Sequence, residues 1–261
     1  MGLFSAVFLA GAFQNCCTTH RLIPRDAALS TYHGVECGLN DVMTSSGLNI
    51  YPSLTIRLMT RFGLDQIWGL RERLEKHNDK SGTFGGDEGE YRSDDFVNAF
   101  NLVCHEDKMN EEDHLLRTFV TVFLLKLLQF NNFFGANTNT NTIPSQRNGG
   151  GEDVLLTDQE LFIGTMILHF TNTFPQNVHD IALLQTPEKS RWVNSAQIKS
   201  LGAGVYLTSA LFNHSCDPSF MRCNFGKGIV SVANRQIKAG EEISECYGQM
   251  YYRCCCVSVG G

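Results

Sequence analysis

Between Ser46 and Leu74, apolar residues recur at Ile50, Leu54, Leu58, Met59 and Phe62, then at Ile67, Leu70 and Leu74. Each set falls on one face of a helix with 3.6 residues per turn, so the pattern predicts two amphipathic helices broken near Gly63. The periodicity lapses in HNDKSGTFGGDEGEYRS, a Gly- and Asp-rich stretch with little to bury, which reads as an exposed loop over 79–93. Helical spacing returns over Asp94 to Val103 and is strongest over Glu111 to Phe130. There EEDHLLRTFVTVFLLKLLQF opens on acids that complement the positive end of a helix, and its apolar content predicts burial on most sides. The polar run GANTNTNTIPSQRNGGGED has no apolar face and reads as a flexible loop over 136–152. Thr157, followed three residues later by Glu160, is a capping-box signal, and DQELFIGTMILHFTNTF carries the next helix to about Phe174.

After Ser190 the texture changes. RWVNSAQIK, GVYLTSALF, FMRCNF, GIVSVANRQI and EEISECY are short β-branched or aromatic runs separated by Gly, Pro and Asp, which predicts strands. NFGKGIV reads as a tight hairpin. A helical first two thirds followed by a compact β unit defines an α+β protein.

Composition narrows the classes of function. In 261 residues the formal net charge is −6 and no basic patch interrupts it, so direct nucleic-acid binding is not expected. No stretch approaches the roughly 20 apolar residues of a membrane span, and no membrane partner is expected. The opening MGLFSAVFLAGAFQ is long and apolar enough for a secretory leader, but no basic residue precedes it and the first charge is Arg21. The ten cysteines sit in a chain large enough to build its own core, which favours an intracellular protein with thiol or zinc chemistry over a disulfide scaffold.

FNHSCDPSF is the densest polar cluster, straight after an apolar run and closed by Pro218. Such a turn can simply cap backbone groups with Asn213, Ser215 and Asp217, or it can hold a ligand with hydrogen-bonded polar side chains. The pairing of GAGVYLTSALFNHSCDPS with IKAGEEISECYG about thirty residues on resembles the SET domain of protein methyltransferases. Among these the chain is most similar to the SET- and MYND-domain (SMYD) family. YHGVECG resembles the end of a MYND zinc module, while LTDQELFIGTMILHF and PQNVHDI fall where that family has its helical segment and a cofactor-contacting Asn.

The resemblance implies a SET-domain β unit with knot-like C-terminal threading and a large helical insertion. It divides the chain into a partial MYND remnant (1–40), a helical insertion (41–150), a SET core (153–250) and a divergent tail (251–261) where the family has a post-SET segment. The implied activity is S-adenosylmethionine-dependent methylation of a protein lysine, on a histone or non-histone substrate, in the nucleus or cytoplasm. By position, Tyr247 inherits the catalytic tyrosine, and Asn213, His214 and Asn177 inherit cofactor contacts. The strand expected over Val205 to Leu211 supplies backbone contacts, with Leu211 and Phe212 beside the cofactor.

Three departures bear on that reading. No Gly-rich cofactor loop is recognisable upstream of YHGVECG. His33 and Cys37 keep the H-x3-C spacing, but Pro24 stands where a cysteine is expected, leaving Cys16, Cys17 or His20 to complete a zinc site or the segment without metal. Cys216 would join a further zinc, yet the family's C-x-C-x2-C is replaced by the adjacent Cys254 to Cys256. An inactive SET fragment serving as a protein-binding or regulatory module is the alternative to the enzyme.

Overall fold

A computed structural model describes residues 2–5, 8–11, 33–77, 95–135, 156–185, 197–225 and 228–247. Seven helices and eight strands are defined among them. The helices are α1 (Gly34–Glu36), α2 (Leu39–Ser45), α3 (Ile50–Gly69), α4 (Arg71–His77), α5 (Phe96–Phe100), α6 (Glu111–Phe130) and α7 (Asp158–Asn177). The strands are β1 (Gly2–Ser5), β2 (Phe8–Gly11), β3 (Val178–Gln185), β4 (Gln197–Val205), β5 (Asn213–His214), β6 (Phe220–Phe225), β7 (Gly228–Ala233) and β8 (Ser244–Glu245). They form sheets ordered β1-β7-β6, β2-β4-β3 and β5-β8. The mixed architecture is α+β.

Local signals place the helices well. Thr157 caps α7, with both bonds of its capping box to Glu160 formed. Asn110 accepts from the Asp113 N–H at the start of α6. Gly63 sits at φ 75°, ψ 162°, so α3 is two helical segments joined at a kink that needs a residue without a Cβ.

The core lies where α3, α6 and α7 meet. Leu54, Leu58, Met59 and Ile67 from α3 face Leu124 and Leu128 of α6 and Ile163, Ile167, Phe170 and Phe174 of α7, all buried. Ala203, Val205 and Leu207 extend this core into the β unit. Phe96 stands edge-on to both Phe62 and Phe170, with ring centroids 5.1 and 5.4 Å apart, and so pins α5 between α3 and α7.

Four expectations from sequence need correction. Helix α6 is not buried on most sides: Leu115, Leu116, Phe119 and Val122 are exposed, because only its C-terminal half packs into the core. Val178–Gln185, read as the end of a helical segment, is a strand paired along its length with β4. Residues 206–212, read as part of a strand, form a turn and the 3-10 helix Ser209–Leu211. The N-terminal run, for which the sequence predicted no strand, supplies two edge strands: β1 pairs with β7 and β2 with β4, which satisfies backbone groups of an uncharged apolar segment. The hairpin expected at NFGKGIV is present, with Phe225 paired to Gly228.

His169 gives the fold a pH dependence. Its ring stacks on Phe100 at 4.2 Å and its Nε2 lies 2.8 Å from the Phe100 carbonyl oxygen. Burial pushes the imidazole below its ordinary value, against the Phe100 hydrogen bond and the Glu106 charge. The unfolded chain therefore takes up a proton at higher pH than the native one. The stability this neutral ring contributes is full above about pH 6.5 and is lost as pH falls toward the depressed native value. In thermal melts between about pH 7 and pH 5, the parent is expected to lose more stability than His169→Gln; equal slopes would contradict the assignment.

Candidate active site

The two halves of the polar motif, 34 positions apart at Asn213 and Tyr247, meet through strands β5 and β8. These run parallel, pairing Asn213 with Ser244 and His214 with Glu245. Ser219 clamps the other side of β8: its N–H donates to the Ser244 carbonyl, and its hydroxyl accepts from the Ser244 N–H at 2.9 Å. The Ser215 N–H donates to the Glu245 carbonyl at 2.8 Å.

That clamp delivers Tyr247 to the motif. Its backbone N–H donates to His214 Nδ1 at 3.1 Å, and its hydroxyl donates to the Phe212 carbonyl at 2.8 Å. The two rings lie 5.2 Å apart. Because His214 Nδ1 accepts, the imidazole carries its proton on Nε2, which lies 3.3 Å from Cys216 Sγ. Tyr247 is 56% exposed, and its hydroxyl is held by the Phe212 carbonyl. Partial burial and the Glu245 charge raise its pKa, while Arg222 lowers it. The phenol is therefore neutral at physiological pH.

Asn213 Nδ2 donates to Glu242 Oε1 at 2.6 Å, which turns the carboxamide oxygen away from Glu242 and toward any incoming donor. Leu211 is exposed and Phe212 half-buried beside it. The Ser209 hydroxyl is buried without a hydrogen-bond partner two residues earlier. An imidazole and a phenol in contact, with a carboxamide next in the chain and apolar surface adjoining, are the mixed polar and apolar groups from which ligand sites are built.

Asn177 closes the helix that precedes β3. Buried at the end of α7, its amide donates to the carbonyls of Val103 at 2.7 Å and Thr173 at 2.8 Å. Those bonds fix the α7–β3 junction.

The metal residues do not assemble into a zinc site among the described residues. His33 and Cys37 share one helical turn, with the Cys37 N–H donating to the His33 carbonyl, and among the described residues they belong to no group of three His, Cys, Asp or Glu that could hold a metal ion. Cys216 Sγ lies 3.3 Å from His214 Nε2. Cys16, Cys17, His20 and Cys254 to Cys256 lie outside the described residues.

Sequence reasoning missed the charged group beneath Tyr247. Arg222 Nη1 lies 2.9 Å from Glu245 Oε1, and His179 Nε2 lies 3.7 Å from the same oxygen. Alternation gave no signal for it, since Ile243 and Tyr247, two positions to either side of Glu245, are both exposed. Among the described residues no helix is long and apolar enough to cross a membrane.

The SET domain family matches residues 91–248, more than half of the chain. The chain is 24% identical over 269 residues to "Protein-lysine N-methyltransferase SMYD4" from Gallus gallus, covering 92% of this chain and 35% of that protein. It is 22% identical over 250 residues to the Pongo abelii protein of the same name, covering 85% and 31%. Over 56 residues it is 39% identical to "Histone-lysine N-methyltransferase SMYD3" from Mus musculus, covering 22% of this chain and 13% of that one. The chain spans about a third of the length of the first two relatives.

Proposed function

The chain belongs to the SET-domain family, and on that footing we propose that it transfers a methyl group from S-adenosylmethionine to a protein lysine, on a histone or another protein. The observation that carries this reading is the parallel β5–β8 pair, which brings Tyr247 onto His214 and onto the Phe212 carbonyl, next in the chain to Asn213. The knot-like passage of the C-terminal segment past β5 belongs to the same proposal, as does a nuclear or cytoplasmic setting.

S-adenosylmethionine supplies, when bound, an electrophilic methyl on a positively charged sulfur. The chain's residues bind it and aim the acceptor. Asn213 offers its carboxamide oxygen, and the 211–214 segment offers backbone groups and apolar surface. Tyr247 spends its only O–H on the Phe212 carbonyl, so its oxygen can only accept. An amine bound there would donate an N–H to that oxygen and keep its lone pair free to attack. Orientation of this kind replaces a bimolecular encounter with a prepared one. The phenol oxygen and the Phe212 carbonyl also present negative ends of dipoles to a cationic centre.

The direct test is transfer of labelled methyl groups from S-adenosylmethionine to protein lysines in a cell extract by the purified chain. A cooperatively folded parent that transfers none would overturn the enzyme reading and leave a SET fragment acting as a protein-binding module. Asn213→Ala is expected to weaken S-adenosylmethionine binding by about tenfold to a hundredfold in calorimetric titration, the equivalent of about 1–3 kcal/mol for one lost partner. Unchanged affinity would remove Asn213 from the site.

A further inference from the structure

The strand that leads into Tyr247 carries a charge into the interior. Glu245 is 2% exposed, on a strand whose ladder with β5 has two residue pairs. Its carboxylate Oε1 accepts from Arg222 of β6 at 2.9 Å and faces His179 of β3 at 3.7 Å. One side chain on β8 thus reaches strands of both other sheets.

The group is not built like a plain structural tie. Glu245 Oε2, His179 Nδ1 and the Tyr206 hydroxyl are buried without hydrogen-bond partners, and the Tyr206 ring stands edge-on to His179 at 5.6 Å. Apolar residues in these places would stabilise the fold as well or better, without unsatisfied polar atoms. What apolar residues would not supply is two opposed charges beside Tyr247.

We propose that Glu245 is a positioning residue of the site: held by Arg222 and His179, it fixes the strand that carries Tyr247 and sets the electrostatic field at the Tyr247 hydroxyl. Its role in turnover rests on the methyl-transfer reading. Its action on Tyr247 does not, and can be measured without turnover.

Glu245→Gln keeps the shape and an acceptor for Arg222 but removes the negative charge. Arg222→Gln leaves the carboxylate uncompensated. Carbon-13 NMR of the Tyr247 ring, assigned by its loss in Tyr247→Phe, follows the phenol's ionisation in each variant; the other titratable groups beside it, His214 and Cys246, are untouched. Expected is a shift of the Tyr247 transition to lower pH in Glu245→Gln, to higher pH in Arg222→Gln, and a return toward the parent in the double variant. In methyl transfer, Glu245→Gln is expected to lower kcat by about tenfold with KM for a lysine peptide unchanged, a loss confined to the transition state. Single variants that both leave the transition in place, or both move it in one direction, would overturn the proposal. If Arg222→Gln does not fold, the downward shift in Glu245→Gln and its reversal in the double variant decide the matter. A parent without methyl transfer defeats the functional reading alone, since the ionisation measurement needs no turnover.

Discussion

Tyr247→Phe is expected to lower methyl transfer by about a hundredfold or more while leaving S-adenosylmethionine affinity within a few-fold of the parent. The change deletes one oxygen and keeps the ring that lies 5.2 Å from His214. The backbone bond from the Tyr247 N–H to His214 Nδ1 does not involve the hydroxyl and should persist. Asn213 keeps its tie to Glu242, so the groups assigned to binding stay in place. What disappears is the acceptor oxygen whose orientation the Phe212 carbonyl enforces. On the proposed methyl-transfer reading, a lysine amine then has no fixed partner at the transfer point, and the cost falls on the transition state. Single-turnover transfer and calorimetric titration on the same preparation separate the two effects. A variant that keeps full turnover would remove Tyr247 from the chemistry. One that loses cofactor affinity in proportion to turnover would make it a binding residue.

Loss of Glu36 is expected to destabilise the fold by about 3–5 kcal/mol, the range for breaking a buried ion pair. Glu36 is 3% exposed, and its two oxygens accept from Arg57 Nε at 2.6 and 2.8 Å. Arg57 Nη2 approaches Oε2 to 2.6 Å, and Thr60 donates to Oε1 at 2.7 Å. Removing the carboxylate takes away the counterion that both Nε and Nη2 of a guanidinium only 11% exposed approach. The pair also holds the His33–Cys37 turn onto α3, together with the Asn131 amide on the Val35 carbonyl. Denaturant unfolding of Glu36→Ala measures the loss, and a change below about 1 kcal/mol would mean that the pair behaves as a surface bridge. Replacing both partners with apolar residues, as in Glu36→Leu with Arg57→Met, is expected to recover much of the loss because no charge is left unpaired.

The helices were readable because their determinants are local. The apolar spacing over Glu111 to Phe130 matches α6 at both ends, Thr157 and Glu160 form their capping box, and Gly63 breaks α3 where the pattern predicts. Each depends on residues within a turn or two of one another, so partners elsewhere in the chain are not needed. The exposure of α6 was not readable. An apolar stripe marks what could be buried, and only the placement of α3 and α7 decides which part is covered.

The site divides along the same line. Asn213, His214 and Tyr247 stood out because two motifs resembled a known family, and the structure joins them through β5 and β8. Asn177 donates through its amide to Val103 and Thr173, bonds that its sequence context did not signal. A strand has no internal hydrogen bonds, so β3 exists because β4 lies beside it, and β1 and β2 because partners more than 190 residues away complete them. The same holds for Glu245. In sequence it is one acid among several in EEISECY, and a lone carboxylate is expected in solvent. From the sequence alone come helical spans, helix caps, the hairpin and the family's motif. Only the tertiary structure could bring Arg222 and His179 to Glu245, since a charge can be kept in the interior beside Tyr247 only where a counterion from another strand offsets its desolvation.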